Sequence, residues 1–275
     1  MFLGLSMWSF EKDAFSGKMD FRDFIIYCAK QGYAAVELLD CFWKQSGDEI
    51  DEAKKIAQDH GIKIGCYAIA NNFAQNEQAK RQAQVDYIKK GIETAAALGA
   101  PVLRVFGGSP QKELSYEAAL PWIVEGFCSC KYLAEKMDVK MAMENHGTLS
   151  GSWKQVLEII SRVNSTHFGA TADLGNFLLV NETPLDSVEG ILPFIKHVHC
   201  KDFIPTPEGE TRFYTALSGE KFSGCVLGNG IVGIDKILPL LRENNFDAMI
   251  SIEYEGTAPA SQGVPQSKTF VEKYL

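Results

Sequence analysis

Short apolar runs alternate with amphipathic stretches along the whole chain. Leu3–Met7, Tyr33–Leu39, Ile62–Ile69 and Val102–Phe106 are nearly continuous apolar runs, the pattern of strands buried on both faces. The segments between them have helical spacing. Asp20 is a good N-cap for a helix through Lys30, with Gln31 and Gly32 as its stop. Asp48–His60 is helical and ends at Gly61, and a long helix over Gln75–Leu98 carries Val85, Ile88, Ile92 and Ala96 on one face. Gly99 and Pro101 form the turn into the fourth strand.

The second half continues this order. Tyr116–Met137 reads as helix, Lys140–Glu144 as strand, Trp153–Val163 as helix and Phe168–Asp173 as strand. A short helix over Leu185–Leu192 precedes the strand Ile195–His199. A long loop over 203–230, rich in Gly, Thr and Ser, leads to a helix at Ile234–Asn244 and a strand at Ala248–Glu253. Lys268–Leu275 reads as a last helical turn or two. Eight strand–helix units imply a parallel sheet, and their number and the length of 275 residues fit a closed (β/α)8 TIM barrel, one α/β domain over residues 1–275. A doubly wound sheet is the competing architecture. It lacks support, because no Gly-x-Gly-x-x-Gly follows the first strand and the pairs Gly107–Gly108 and Gly228/Gly230 are too short to be phosphate loops.

Four of the apolar runs close on a residue that binds cations: Glu144, Asp173, His199 and Glu253. In a barrel the C-terminal strand ends open onto one mouth, so these four would converge. Three carboxylates together would repel one another, and a divalent cation removes that cost. Three oxygen donors and one imidazole suit Mn²⁺ or Mg²⁺, with Co²⁺ or Zn²⁺ as further choices. The alternative for each residue taken alone is a helix cap or an ion pair at a loop start.

Composition narrows the function further. A net charge of −8 argues against a nucleic-acid partner. No apolar run is long enough to span a membrane. Seven Cys without a Cys-x-x-Cys motif suggest reduced thiols and a cytoplasmic protein, and the first residues show no basic leader or cleavage site.

The chain resembles the sugar phosphate isomerase/epimerase family, the xylose-isomerase-like barrels. The matching segments are Gly-Tyr-Ala-Ala-Val-Glu-Leu over 32–38, Ala-Ala-Leu-Gly-Ala-Pro-Val-Leu-Arg over 96–104, Glu-Asn-His-Gly over 144–147 and Asp-Leu-Gly-Asn over 173–176. His-Cys-Lys-Asp over 199–202, Leu-Gly-Asn-Gly-Ile-Val over 227–232 and Ile-Glu-Tyr-Glu over 252–255 complete the set, in family order. The resemblance implies one divalent metal ion, Mn²⁺ first, on Glu144, Asp173, His199 and Glu253, the four residues the strand ends select. It also implies a small sugar substrate. In the family's ketose epimerases the two metal-bound glutamates move the proton. Carried over, Glu144 and Glu253 would flank a substrate carbon, and proton transfer would pass through a metal-stabilised cis-enediolate.

One position departs from that pattern. Some epimerases of the family carry His three residues after the metal-binding Asp, where this chain has Asn176, which can bind a hydroxyl but cannot act as an acid or base. His146, two residues after Glu144, is then a separate candidate base, or else a residue that only orients Glu144 or lines the mouth. Lys201 shares the face of His199 by alternation and is a candidate to hold a substrate oxygen, the alternative being an ion pair with Asp202 or Glu255. Trp8 and Tyr67 are candidate substrate contacts, with Phe10, Phe106 and Phe177 as further aromatics near strand ends. Arg104 should pair with Glu37, and His197 and His167 should be structural, on the wrong end or face for the mouth. Arg212, Tyr214 and Lys221 in the long loop could reach substrate.

Three other readings compete with an isomerase or epimerase. One is a lyase on a 3-keto C-glycoside, with His146 as base and a small partner subunit, as in some relatives of this barrel. Another is an AP-endonuclease-like repair enzyme, which five His and the acidic charge disfavour because those enzymes use more His ligands. The last is a sugar-binding barrel without an intact metal site. The 203–230 loop also admits a homo-oligomer, since such loops often pack across subunits in this family.

Overall fold

The computed structural model describes residues 1–109 and 114–275. Eight parallel strands close into a barrel: β1 (Phe2–Ser6), β2 (Ala35–Leu39), β3 (Lys63–Ala68), β4 (Val102–Phe106), β5 (Lys140–Glu144), β6 (Phe168–Asp173), β7 (Ile195–Cys200) and β11 (Met249–Ile252). Neighbours follow chain order, and β11 pairs with both β7 and β1 to close the ring. The TIM-barrel expectation therefore holds.

Side chains alternate between the barrel interior and the surrounding helices. Ala35, Cys66, Val102, Ala142 and Met249 meet inside, at the N-terminal end, as a small apolar layer. The Met249 thioether takes up the room that side chains at Gly4 and Gly65 would need. Outward residues such as Leu38, Leu103, Val105 and Ile252 join the larger core against the helices.

The helices start and stop where their local chemistry directs. Asp20 caps α2 (Phe21–Lys30) in a reciprocal box with Asp23, and Ser152 does the same with Gln155 for α6 (Trp153–Val163). The helix α4 (Gln78–Leu98) begins three residues later than its apolar pattern suggests and stops at Gly99, whose φ of 75° suits glycine. The terminal helix is longer than expected, spanning α10 (Ala260–Val271).

The 203–230 segment is not a plain loop. It holds a three-stranded antiparallel sheet, β8 (Phe203–Pro205), β9 (Tyr214–Thr215) and β10 (Lys221–Gly224), in the order β8-β10-β9. Asp202, 2% exposed, fastens both ends of this insert. Its carboxylate accepts N–H groups from Phe203 at 3.0 Å, Gly228 at 2.8 Å, Gly230 at 3.0 Å and Val232 at 3.2 Å. All seven cysteines are free. Among the described residues no helix is long and apolar enough to cross a membrane.

Candidate active site at the barrel mouth

Glu144 ends β5, Asp173 ends β6, His199 lies one residue from the end of β7, and Glu253 follows β11. Register brings them together: Asp173 is the ladder partner of His199, and His199 that of Ser251. His199 Nδ1 stands 3.4 Å from Glu144 Oε2, 3.5 Å from Glu253 Oε1 and 4.0 Å from Asp173 Oδ2. Ligand atoms of Glu144, Asp173 and His199 all lie within 4.8 Å of one another. The sequence-selected quartet thus converges.

The ring of His199 is held from below. Its Nε2 lies 2.9 and 3.0 Å from the two oxygens of Glu37, a fully buried carboxylate that also accepts from Ser251 Oγ at 3.0 Å. This turns Nδ1 toward the acids. His197, expected on the wrong face, is inside the barrel on the same side as His199, because residues two apart in a strand share a face. Its Nε2 is 3.6 Å from Glu37, so it braces that carboxylate. The expected Arg104–Glu37 pair is absent. Arg104 Nε lies 3.4 Å from Glu144 instead, Nη1 donates to the Ile69 carbonyl, and the guanidinium covers the Phe106 ring at 4.2 Å.

Lys201 also reaches the acids. Its Nζ is 2.7 Å from Glu253, 2.9 Å from Asp173 and 3.3 Å from Glu255. Glu255 in turn accepts Trp8 Nε1 at 2.7 Å and Tyr214 OH at 2.6 Å. Asn176 Nδ2 donates to Glu144 Oε1 at 3.1 Å, so this residue orients a glutamate. Asn145 was not singled out from sequence, although it lies inside the Glu-Asn-His-Gly segment. Its side chain bonds both backbone groups of Asp173, at 2.7 and 2.9 Å, and locks β6 to β5 at the mouth. The importance of Glu255 was legible: it lies two residues beyond Glu253.

A cavity of about 560 Å³ opens above these groups, lined among others by Trp8, Arg104, Phe106, Glu144, His146, Asn176, Lys201, Tyr214, Glu253 and Glu255. His146 is exposed on its wall, with its ring 4.7 Å from Phe106. Tyr67 is not in the lining. It is 2% exposed and packs edge-on against Trp43, because alternation turns it outward. Phe10 and Phe177 are core residues, and His167 pairs with Asp138 away from the site. In the insert, Arg212 pairs with Glu11 at 2.5 Å and Lys221 lies over Phe213.

The electrostatics are those of a crowded acid site. Burial alone would raise the Glu144 carboxyl, but the His199 bond and the Arg104 charge hold it well below its ordinary value. Asp173 is pushed up to about 7 by burial and by the charges of Glu253 and Glu144, against the pull of Lys201. Desolvation of its ring holds His146 below its ordinary value. Burial opposes a charged His199, yet Glu37 and Glu253 raise it well above the usual imidazole range.

These residues fit a divalent cation. His199 Nδ1 is buried and makes no well-formed hydrogen bond, the nearest carboxylate oxygens of Glu144, Glu253 and Asp173 standing 3.4 to 4.0 Å away. Holding a cation would require His199 to give up its Nδ1 proton and keep the one on Nε2 toward Glu37, and three carboxylates and one imidazole are a donor set for a borderline or hard ion.

A parallel eight-stranded barrel with acids and a histidine gathered at its C-terminal strand ends is an enzyme architecture. The chain belongs to the xylose isomerase-like TIM barrel family, whose model matches residues 25–274. It is 24% identical over 216 residues to 3-oxo-isoapionate decarboxylase of Pectobacterium atrosepticum, covering 77% of this chain and 66% of that enzyme. Its fold is that of a D-tagatose 3-epimerase-like protein, with a TM-score of 0.78, 21% identity and coverage of 100% of this chain and 97% of the other. It is also that of the IOLI protein, crystallised with a zinc atom, with a TM-score of 0.77, 18% identity and coverage of 100% and 96%.

Proposed function

We propose that this protein is a divalent-metal-dependent sugar isomerase or epimerase that moves a proton at a carbon next to a carbonyl. The observation that carries the reading is the approach of both Glu144 and Glu253 to His199 Nδ1, at 3.4 and 3.5 Å. Glu144, Asp173, His199 and Glu253 would hold one ion, Mn²⁺ as first choice and Zn²⁺ as in the IOLI protein as an alternative. When bound, it supplies the positive charge that acidifies a C–H beside a carbonyl.

The protein groups do the rest. One glutamate takes the proton. The same one returns it in an isomerisation, and the opposite one in an epimerisation. Asn176 keeps one Glu144 oxygen engaged, which fixes the direction of the other. Trp8 and Tyr214 hold Glu255 against Lys201, so the ammonium stays aimed at the acids and within reach of a substrate oxygen. The reading takes the protein as a cytoplasmic enzyme of carbohydrate metabolism acting on a small molecule.

A lyase is the second reading. It is favoured by His146 on the cavity wall, by Asn176 where an acid–base group would otherwise stand, and by the decarboxylase relative. Glu144 would then only bind the ion, and His146 would take the proton.

The test is solvent exchange. Protein dialysed against Mn²⁺ is incubated with keto and aldo sugars in D₂O and the C–H signals are followed by NMR. Exchange or interconversion that disappears in Glu144→Gln and Glu253→Gln supports the first reading. Exchange that survives in those variants and disappears in His146→Gln supports the lyase. No exchange with any sugar by metal-loaded wild type would count against both.

A further inference from the structure

The cavity is larger and less polar than a sugar requires. Its floor is charged, with Glu144, Lys201, Glu253 and Glu255. Higher up the walls change character. On one side stand Leu39 at the end of β2 and Ile69 and Ala70 after β3, and on the other Leu179 and Val180 after β6 with Leu217 from the insert. In the ring order β2 and β6 are four strands apart, so these two walls face each other across the mouth.

The second wall is built rather than incidental. Leu217 N–H donates to the Leu179 carbonyl at 2.9 Å, and Ser218 N–H to Asn181 Oδ1 at 3.1 Å. These bonds tie the turn after β9 to the segment after β6 and leave Leu217, 63% exposed, at the cavity edge.

A free sugar gains little here. Its hydroxyls would lose water against Leu39, Ile69, Leu179 and Val180, which offer no side-chain partner, and burying an unpaired hydroxyl is unfavourable. A volume near 560 Å³ belongs with sites that enclose drug-sized ligands, larger than one sugar ring. An anionic substituent fares no better. Among the described lining residues the cations are Arg104 and Lys201, and each already faces carboxylates.

We infer that the upper cavity is a subsite for an uncharged apolar substituent, so that the substrate is a sugar carrying an aryl or alkyl group whose reacting end lies on the acid floor. This rests on the sugar reading proposed above and names the class of substrate within it. Chemically, an aglycone packs its flat or branched surface between the Leu39/Ile69 and Leu179/Leu217 walls, and the sugar turns its hydroxyls down to Glu144, Lys201 and Glu253.

Calorimetric titration of Mn²⁺-loaded protein with the 3-keto forms of methyl β-glucoside and phenyl β-glucoside, which keep the carbonyl that the sugar reading requires, and with phenol alone tests it. Phenyl glucoside should bind at least about tenfold more tightly than the methyl compound, the scale set by burying the ring's apolar surface. Leu217→Asp, at an exposed position that tolerates the change, should bring that ratio close to one. Equal affinity of the two glucosides in wild type would overturn the subsite and leave the sugar reading standing. Binding of phenol without either glucoside would keep the apolar site and sink the sugar reading. Binding of none would overturn both. A dimer in wild type that Leu217→Asp converts to monomer would show that a second copy covers this wall, and would also overturn the subsite.

Discussion

The two ends of the barrel are made from the same strands and could hardly differ more. At the N-terminal end Ala35, Cys66, Val102, Ala142 and Met249 fill the interior with small apolar groups and one flexible thioether. At the other end β5, β6, β7 and β11 lead to Glu144, Asp173, His199 and Glu253 with Lys201 among them, nearly all out of contact with solvent. One end is satisfied by packing. The other gathers like charges around Lys201 and leaves His199 Nδ1 without a well-formed hydrogen bond. Stability and chemistry are thus separated along one set of strands, and substitutions at the two ends should fail in different ways.

The sharpest contrast is expected from the acids. Glu144→Gln with Glu253→Gln should remove bound Mn²⁺ and lower turnover by about 10²–10⁴-fold, while the amides of the same shape keep the barrel folded. Elemental analysis and calorimetry on the same preparations check this, and retention of one metal equivalent by the double variant would break the comparison. Met249→Ala at the opposite end should do the reverse. It empties the space over Gly4 and Gly65 and should cost about 2–5 kcal/mol of unfolding free energy while turnover per folded molecule is kept. Chemical denaturation measures the first part and an activity assay below the transition the second.

Asp202 lies between these extremes. Asp202→Ala strands four N–H groups of the insert and should cost about 1–3 kcal/mol, seen first as faster proteolysis within 203–232. The smallest effect concerns Cys41 in the cavity lining, whose thiol is pushed up to about 11 by burial and the adjacent Asp40 carboxylate. Only the thiolate reacts with iodoacetamide, so at pH 8 labelling should run slower than for an unshifted thiol, and should rise about tenfold per pH unit. Asp40→Asn removes one of the two causes and should speed labelling by roughly threefold at fixed pH. Peptide mapping by mass spectrometry separates Cys41 from the other cysteines.

What failed to be legible has a common cause. The pairing of Arg104 with Glu144 rather than Glu37, and of His197 with Glu37, depends on which side chains face each other across strands distant in sequence. Tyr67 was expected at the mouth because it lies near a strand end, yet its neighbours Cys66 and Ala68 take the inward direction and it takes the outward one. The β8-β10-β9 sheet was hidden because its strands are two to four residues long and its Gly-, Thr- and Ser-rich sequence gives little apolar period. Asn145 was passed over for a different reason: its work is a bond to the backbone of Asp173, and sequence says nothing of backbone partners.

The sequence by itself determined the eight strand–helix units and the four ligand-type strand ends, because apolar period, helix caps and the residue that closes each strand are local properties of the chain. The distances within the quartet, the support of His199 by Glu37, the place of Lys201 among three acids and the apolar walls above them came from the folded ring alone. Those depend on barrel closure, strand register and the direction in which each side chain leaves the sheet, which are set by the whole ring of strands and not by any one of them.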